Sequence, residues 1–566
     1  MWFKNQYPNY MHKMKKNQTV LDIDIHIDNL MVDMNGIFHN SAQKIYKYGN
    51  HKPSRSFLTK SKPPEVNKNT QLLLFKDVCE TIEQLVLIVS PSKRLILCID
   101  GPAPISKQNQ QRQRRFRSAK ESSNTSEGQF DSNCITPGTE FMDYLSKYID
   151  WWIRNKIIED SKWQQLEIVF SNEKVPGEGE HKGIRYIREN GMKDESFCIN
   201  GLDADLIMLA LGTHIPKFYI VREDMYDPSN DFFCIDVGTI HDKLAENMRW
   251  VSTTHTFNMN IAIEDFIFLC FMVGNDFLPH IPSIEIIQNG IELIIDIYKK
   301  VGASYGHITH NIDGNVRFQL KPLSVFLGTI GYKERENFEA KLREKFIRDP
   351  ILDMCYKRDN KGVYSVDINR YNSLYLKEKF PSDITEEQIC HEYLEGMQWV
   401  LTYYTKDVPD WKWHYSYHYA PPASILAKYF DTYKFKTYNV TVPTTPFQQL
   451  LGVLPPKSAK LIPRHLSTLL TDNNSPLKKY CPETFEIDYA GKKREWEGIV
   501  LLPMVNFTLM SQCYFKMISE VSNIDMKRNI LGRSFSYDYI PRSPYTFRSY
   551  YGDIENCTVR TTLIDI

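Results

Sequence analysis

Seven acidic residues stand where a chain most readily builds chemistry. Asp33 and Asp100 each close a short apolar run, and Glu178 and Glu180 follow the Pro176-Gly177 turn. Asp203 and Asp205 follow Asn200-Gly201, and Asp276 follows Gly274-Asn275 at the end of an apolar helix over 263–273. Brought together, such carboxylates repel by roughly 4 kcal/mol per close pair at an effective dielectric near 20. Hard divalent cations offset that repulsion, and oxygen-only ligands suit Mg²⁺ or Mn²⁺ far better than zinc. Two such ions about 3.5–4 Å apart clamp the attacking water and the leaving oxygen of a phosphodiester hydrolysis. For any one acid, helix capping is the plain alternative. Seven at loop ends, including two acid-x-acid pairs, favour a metal site.

A second cluster has the opposite sign. Between residues 101 and 120 there are six cations (Lys107, Arg112, Arg114, Arg115, Arg117, Lys120) and no acid. Lys107, Gln111, Arg114 and Arg115 stand at i, i+4, i+7 and i+8, one face of a helix. An ammonium, an amide and two guanidinium forks on one face can surround a terminal phosphate dianion. A basic run is usually solvated surface, but one-sided spacing just downstream of Asp100 favours a phosphate pocket.

The elements that must position these groups alternate. Strands are expected at 30–33, 94–100, 167–170 and 197–200, with helical periodicity at 72–90 and 139–158. The fold class is therefore α/β, a largely parallel sheet with its site at the strands' C-terminal ends. Segments 51–68 and 118–129 read as surface excursions. The pattern weakens over 301–365, apart from a charged helix at 332–346. An aromatic-rich stretch (390–434) and a Pro-punctuated one to about 510 follow, and 511–566 shows little core. A 566-residue chain exceeds what one core usually supports. Lys+Arg and Asp+Glu are both 69, so whole-chain charge argues for no partner. Eleven cysteines without a CxxC pair read as free thiols in a reducing compartment. The polar N-terminus carries no signal peptide, and no membrane span is expected.

Several motifs in order carry a family resemblance: Asp33-Met-Asn-Gly-Ile-Phe-His39, the 100–117 run, and Phe130-Asp-Ser-Asn-Cys-Ile-Thr-Pro-Gly-Thr. Val175-Pro-Gly-Glu-Gly-Glu-His-Lys182, Gly201-Leu-Asp-Ala-Asp205 and Val273-Gly-Asn-Asp-Phe-Leu-Pro-His280 continue it. Glu395-Gly-Met-Gln-Trp, Trp411-Lys-Trp413-His-Tyr, Pro446-Phe-Gln-Gln and Phe485-Glu-Ile-Asp extend it to about 510. Together they resemble the XRN family. The resemblance implies a processive 5′→3′ exoribonuclease. It would hydrolyse 5′-monophosphorylated single-stranded RNA to nucleoside 5′-monophosphates with two Mg²⁺ or Mn²⁺ ions, in mRNA decay or RNA turnover.

It further implies that the seven acids are the metal ligands, and that Lys107, Gln111, Arg114 and Arg115 hold the 5′-phosphate. His39 stacks on the terminal base, and an aromatic partner, Trp411 or Trp413, completes the sandwich. For either tryptophan, core packing is an equal alternative. The expected organisation is a nuclease domain (1–300), a connecting segment (301–364), a second region narrowing the entrance (365–510) and a tail (511–566). The sequence departs from the family's Met-Gly-Val-Pro opening, starting instead at Trp2-Phe3-Lys4, and Ser122–Gly128 predicts a shortened helical projection after Arg117. The large cytoplasmic members' C-terminal domains and a zinc knuckle are absent from this sequence. The expected protein is an intracellular monomer, cytoplasmic rather than nuclear. Abundant Asn, Lys, Ile and Tyr fit an AT-rich genome such as that of a large DNA virus, with a virion or host cytoplasm as the location. Two other readings are a structure-specific 5′ flap nuclease and a non-catalytic RNA-binding scaffold. The first lacks a visible arch and duplex-binding element, and the second would be expected to lose metal acids.

Overall fold

Neighbouring residues along the central strands bury on opposite faces, so helices must cover the sheet on both sides. The computed structural model describes residues 2–51, 64–121, 129–224, 231–284, 290–344, 348–438 and 441–565. The strands of its main sheet are β1 (Met11–Met14), β2 (Asn29–Asp33), β3 (Arg94–Cys98), β4 (Glu167–Ser171), β5 (Phe197–Asn200), β6 (Phe218–Glu223), β7 (Phe232–Asp236), β8 (Ser534–Tyr539) and β9 (Val559–Ile564). Their spatial order is β1-β7-β6-β5-β2-β3-β4-β8-β9. The run β6-β5-β2-β3-β4 is parallel. β7 and β1 at one end, and β8 and β9 at the other, are antiparallel.

Met31, Ile96, Cys98 and Val169 bury in one core, while Leu30, Val32, Leu95, Leu97 and Phe170 bury in the other. Chain order reverses between β2 and β5: β3 and β4 lie on one side, and the chain then returns to place β5 and β6 on the other. Such a switch point opens a crevice at the strands' C-terminal ends. Asp33 closes β2, and Asp203 and Asp205 follow β5.

The second region is not a separate body. Helix Glu386–Thr405 drives Tyr393, Met397, Trp399, Val400 and Tyr403 into the same core as Met31 and Ile199. Three expectations need revising. Residues 301–344 are well ordered into helix Gly290–Tyr305, a hairpin (309–318) and helix Leu320–Leu342. That last helix starts well before the charged stretch, because Leu323, Phe326, Leu327 and Ile330 supply its buried stripe. The 511–566 tail does have a core: β8 pairs with β4 and extends the sheet. The parts of the two surface excursions at 52–63 and 122–128 lie outside the described residues.

Tyr537 is the anchor of that extension. It is fully buried, its hydroxyl donates to Asp150 at 2.7 Å, and Arg154 lies over its ring at 5.3 Å. Tyr537→Ala leaves a cavity and takes away one of the two donors to Asp150, Arg154 Nε at 3.1 Å remaining, so a loss of about 3–5 kcal/mol is expected in chemical denaturation. A loss below about 1 kcal/mol, the scale of a surface substitution, would show that β8 and β9 are not integral to the sheet.

Candidate active site

The acids gather at the switch point. Oxygens of Asp33, Asp100 and Glu180 lie within 4.8 Å of one another, as do oxygens of Glu180, Asp203 and Asp205. Glu180 belongs to both groups. Asp33 and Glu178 occupy helix N-cap positions, yet neither side chain makes a capping bond. Capping therefore does not explain these two carboxylates. Asp100 is fixed from two sides: Gly179 N donates to it at 2.7 Å and Asn35 Nδ2 at 2.6 Å. Residue 179 has to be glycine, because a Cβ there would stand 2.9 Å from Asp33 Oδ1 and 3.1 Å from the Cys98 carbonyl.

Glu178 and Asp276 have a different partner. The Lys107 ammonium pairs with Glu178 and lies 2.6 Å from Asp276 Oδ2, while Gln110 donates to Asp276 Oδ1 at 3.1 Å. Burial works against the Lys107 charge, but Glu178, Asp276, Glu180 and Asp205 outweigh it and hold its pKa well above the usual lysine value. The acids respond in the opposite sense. Burial, with Asp100 and Asp203 beside it, pushes Asp33 well up, and burial with Asp33 and Glu178 nearby does the same to Glu180. Glu178 rises to about 7 and Asp205 to about 6, each chiefly through burial.

Divalent cations fit this site on its own features. Asp33 Oδ1 is buried with no hydrogen-bond partner, and both three-residue groups offer oxygen ligands alone. Such an orphaned buried oxygen is costly unless a cation or a proton satisfies it.

The basic helix, Ile105–Glu121, starts beside these acids. One face grips protein: Arg112 donates to the carbonyls of Pro503 (3.1 Å) and Tyr480, and Lys120 to that of Phe485 (2.9 Å). On the other side, Arg114 is exposed, and Arg115 Nη1 is buried without a partner. Burial, with Arg114 adjacent, pulls Arg115 down to about 10, still charged at neutral pH. Gln111 accepts a long bond from Gln449 at 3.4 Å. His39 is exposed, and crowding by nearby protein, with Arg114 and Arg115 close by, lowers its pKa and favours the neutral ring. Lys107, placed by spacing on the Arg114 face, sits at that face's inner end among the acids.

The two tryptophans part company. Trp413 is buried, stacked on Trp399 at 5.1 Å. Trp411 is half-buried, and its carbonyl accepts from Ile105 N at 3.0 Å, where the basic helix begins.

Four supporting residues escaped the sequence reading. Asn35 holds Asp100, as described. Gln110 shares Asp276 with Lys107. Tyr403 donates to Glu178 at 2.9 Å while stacked on His181 at 3.8 Å. Lys182, buried and lowered to about 8 by that burial, donates to the carbonyls of Ser171, Asn172 and Val175, tying the loop after β4 to the helix bearing Glu180. Asn35, Gln110 and Lys182 lie within the quoted motifs, so their position gave a signal. Nothing in the sequence marked Tyr403 among its helix's aromatic residues.

Two family models match this chain. "XRN 5′-3′ exonuclease N-terminus" covers residues 1–224, and "Xrn1 helical domain" covers 256–363 and 367–540. The chain belongs to the XRN family. It is 28% identical to 5′-3′ exoribonuclease 1 of Schizosaccharomyces pombe, covering 98% of this chain and 51% of that protein. It is 26% identical to 5′-3′ exoribonuclease 2 of Debaryomyces hansenii (99% and 73%) and 28% identical to human 5′-3′ exoribonuclease 1 (100% and 37%). The chain thus spans about half of the first relative and little more than a third of the human one. Among solved structures, the catalytic core of Rad2 in complex with DNA substrate aligns at 13% identity with a TM-score of 0.30, over 68% of this chain and 87% of that one, too weak a likeness to argue from.

The raised carboxyl pKa values make a stability prediction. Unfolded Asp and Glu titrate near ~4, whereas Asp205 and Glu178 titrate at about 6 and about 7 in the fold. The folded state holds these two protons more tightly, so the contribution of these carboxylates to the stability of metal-free protein falls as pH rises from about 4 through about 7. Histidines lowered by burial, such as His181, His280 and His414, shift the other way and add stability over part of that range. In EDTA the Tm of Asp205→Asn, taken relative to wild type at each pH, should therefore rise across the window, and Mg²⁺ should recover most of the wild type's deficit. A difference that does not grow with pH would contradict the packed-carboxylate site.

Proposed function

We propose that this chain is a 5′→3′ exoribonuclease that hydrolyses 5′-monophosphorylated single-stranded RNA processively to nucleoside 5′-monophosphates, in RNA turnover that includes mRNA decay. The observation that carries this reading is the pair of acid groups sharing Glu180 at the C-terminal ends of β2 and β5. Two Mg²⁺ or Mn²⁺ ions, when bound by Asp33, Asp100, Glu180, Asp203 and Asp205, would supply an activated water and neutralise charge on the scissile phosphate. Glu178 and Asp276 hold the Lys107 ammonium next to those carboxylates, where it can meet the phosphate of the terminal nucleotide.

Arg114 and Arg115, with Gln111, receive the 5′-phosphate. The unpartnered Arg115 Nη1 supports this, since a buried guanidinium N–H without an acceptor is costly. On this reading the two guanidinium groups and the amide take one phosphate dianion, and a cap or triphosphate would be a poor substrate. The neutral His39 ring stacks on the terminal base. Of the two tryptophans we assign Trp411 as its partner, because Trp413 is committed to Trp399. Stacking is worth ~1–3 kcal/mol per base and accepts any sequence.

The test compares 5′-monophosphate and 5′-hydroxyl RNAs of one sequence, with EDTA as the control. Arg114→Ala should slow the monophosphate substrate roughly 10–150-fold, equivalent to one charge-assisted bond of ~1.5–3 kcal/mol, and leave the hydroxyl substrate nearly unchanged. Trp411→Ala should slow both, whereas Trp413→Ala should chiefly lower Tm. Equal loss on both RNAs in Arg114→Ala would refute the end-selecting pocket.

A further inference from the structure

Helix Pro446–Val453 buries a glutamine completely. Gln449 has no exposed surface, and its neighbours Phe447, Leu450 and Leu451 pack into an apolar core. A buried amide is costly unless partners of the right sign meet both its oxygen and its nitrogen. The helix that carries it is fixed at its start: Thr445 caps it, and Phe447 N donates to Asn529 Oδ1 at 2.9 Å.

The partners of Gln449 lie on either side of the start of the basic helix. Ala103 N donates to Gln449 Oε1 at 2.7 Å, and Gln449 Nε2 donates to Gln111 Oε1 at 3.4 Å. Ala103 belongs to the short segment between Asp100 and the basic helix, which is held at three points. Gly101 N donates to the Gly177 carbonyl at 2.8 Å, and Gly177 N donates back to the Pro102 carbonyl at 2.9 Å. Ile105 N donates to the Trp411 carbonyl at 3.0 Å.

A backbone N–H can only donate, so Ala103 sets the polarity of the amides beyond it. Gln449 must turn its oxygen to Ala103 and therefore its nitrogen to Gln111. Gln111 must then turn its oxygen to Gln449, which leaves its own Nε2, with two N–H donors, at the outer end of the relay. Reversing either amide would set two donors against each other. Gln111 shares a helical face with Arg114 and Arg115, at i, i+3 and i+4, so that outer end adds donors to the two guanidinium groups.

We propose that Gln449 is a positioning residue for the 5′-phosphate pocket, holding the Gln111 amide with its N–H groups toward the terminal phosphate. This rests on the assignment of Gln111, Arg114 and Arg115 to that phosphate. An amide free to turn must be ordered when the phosphate binds, which weakens binding by about 2–10-fold. Gln449 orders it in advance, from a backbone N–H just after Asp100. The second region thereby helps to select the RNA end without touching it.

The test measures kcat/KM on 5′-monophosphate and 5′-hydroxyl RNAs of one sequence, for wild type, Gln449→Met, Gln111→Met and the double variant. Methionine keeps the length of the side chain without its amide. Gln449→Met should lower the preference for the monophosphate about 2–10-fold, the scale of ordering one side chain. Gln111→Met should lower it at least about tenfold, the loss of one charge-assisted bond. The double variant should match Gln111→Met, because Gln449 acts through Gln111 alone. A packing role for Gln449 would instead lower Tm and slow both RNAs alike. If Gln449→Met does not fold, Gln111→Glu tests the same polarity. Gln449 can still donate to it, but a carboxylate oxygen replaces the N–H groups at the phosphate, so the preference should fall below that of Gln111→Met. An unchanged preference in folded Gln449→Met, a double variant that loses more than Gln111→Met, or a Gln111→Glu that keeps the preference would overturn the relay and leave the arginine pocket standing. A wild type without preference for the monophosphate would overturn the pocket, and the relay with it.

Discussion

Carboxylates do not gather in a protein interior unless something holds them there. Asp33, Asp100, Glu180, Asp203 and Asp205 meet at the reversal of strand order between β2 and β5, where the loops after both strands share one crevice. Their burial together with their mutual repulsion, which push Asp33 and Glu180 well up, is the constraint on which the surrounding structure depends. Lys107 neutralises the Glu178–Asp276 side from within. The Asp33 oxygen without a hydrogen-bond partner is where a cation, if bound, would complete the balance.

Much of the remaining chain keeps those oxygens in place. Asn35 and the Gly179 amide hold Asp100, and Lys182 fastens the loop after β4 under the helix that carries Glu180. From far along the sequence, Tyr403 reaches Glu178 with its hydroxyl while its ring packs on His181. That contact gives the second region a direct part in the site, and it explains why helix Glu386–Thr405 shares a core with the sheet. The basic helix is clamped likewise: Arg112 and Lys120 bind backbone carbonyls of 480–503, while Arg114 stays exposed and Arg115 keeps a buried nitrogen without a partner.

The α/β architecture and the gathered acids were legible because each acid follows a strand or turn that the apolar pattern marks. Lys107 was only half legible. Spacing put it on a face with Arg114, but such a face runs along a helix that starts at the acids, and spacing does not say what each end meets. The tail was misread for a different reason. Ser534-Phe-Ser-Tyr-Asp-Tyr539 alternates as a strand should, yet its burial comes from pairing with β4, more than 350 residues away, and from Asp150 and Arg154 beneath Tyr537. Trp413 shows the same limit: only the fold sets it on Trp399 and leaves Trp411 at the start of the basic helix.

The central claim is that one shared carboxylate, Glu180, joins two cation sites. Counting bound Mn²⁺ per chain by electron paramagnetic resonance, on metal-free protein without RNA, tests it most directly. The account predicts two ions on the wild type, Asp203→Asn losing one of them, and Glu180→Gln weakening both. A single ion on the wild type, or two ions held equally well by Glu180→Gln, would contradict it.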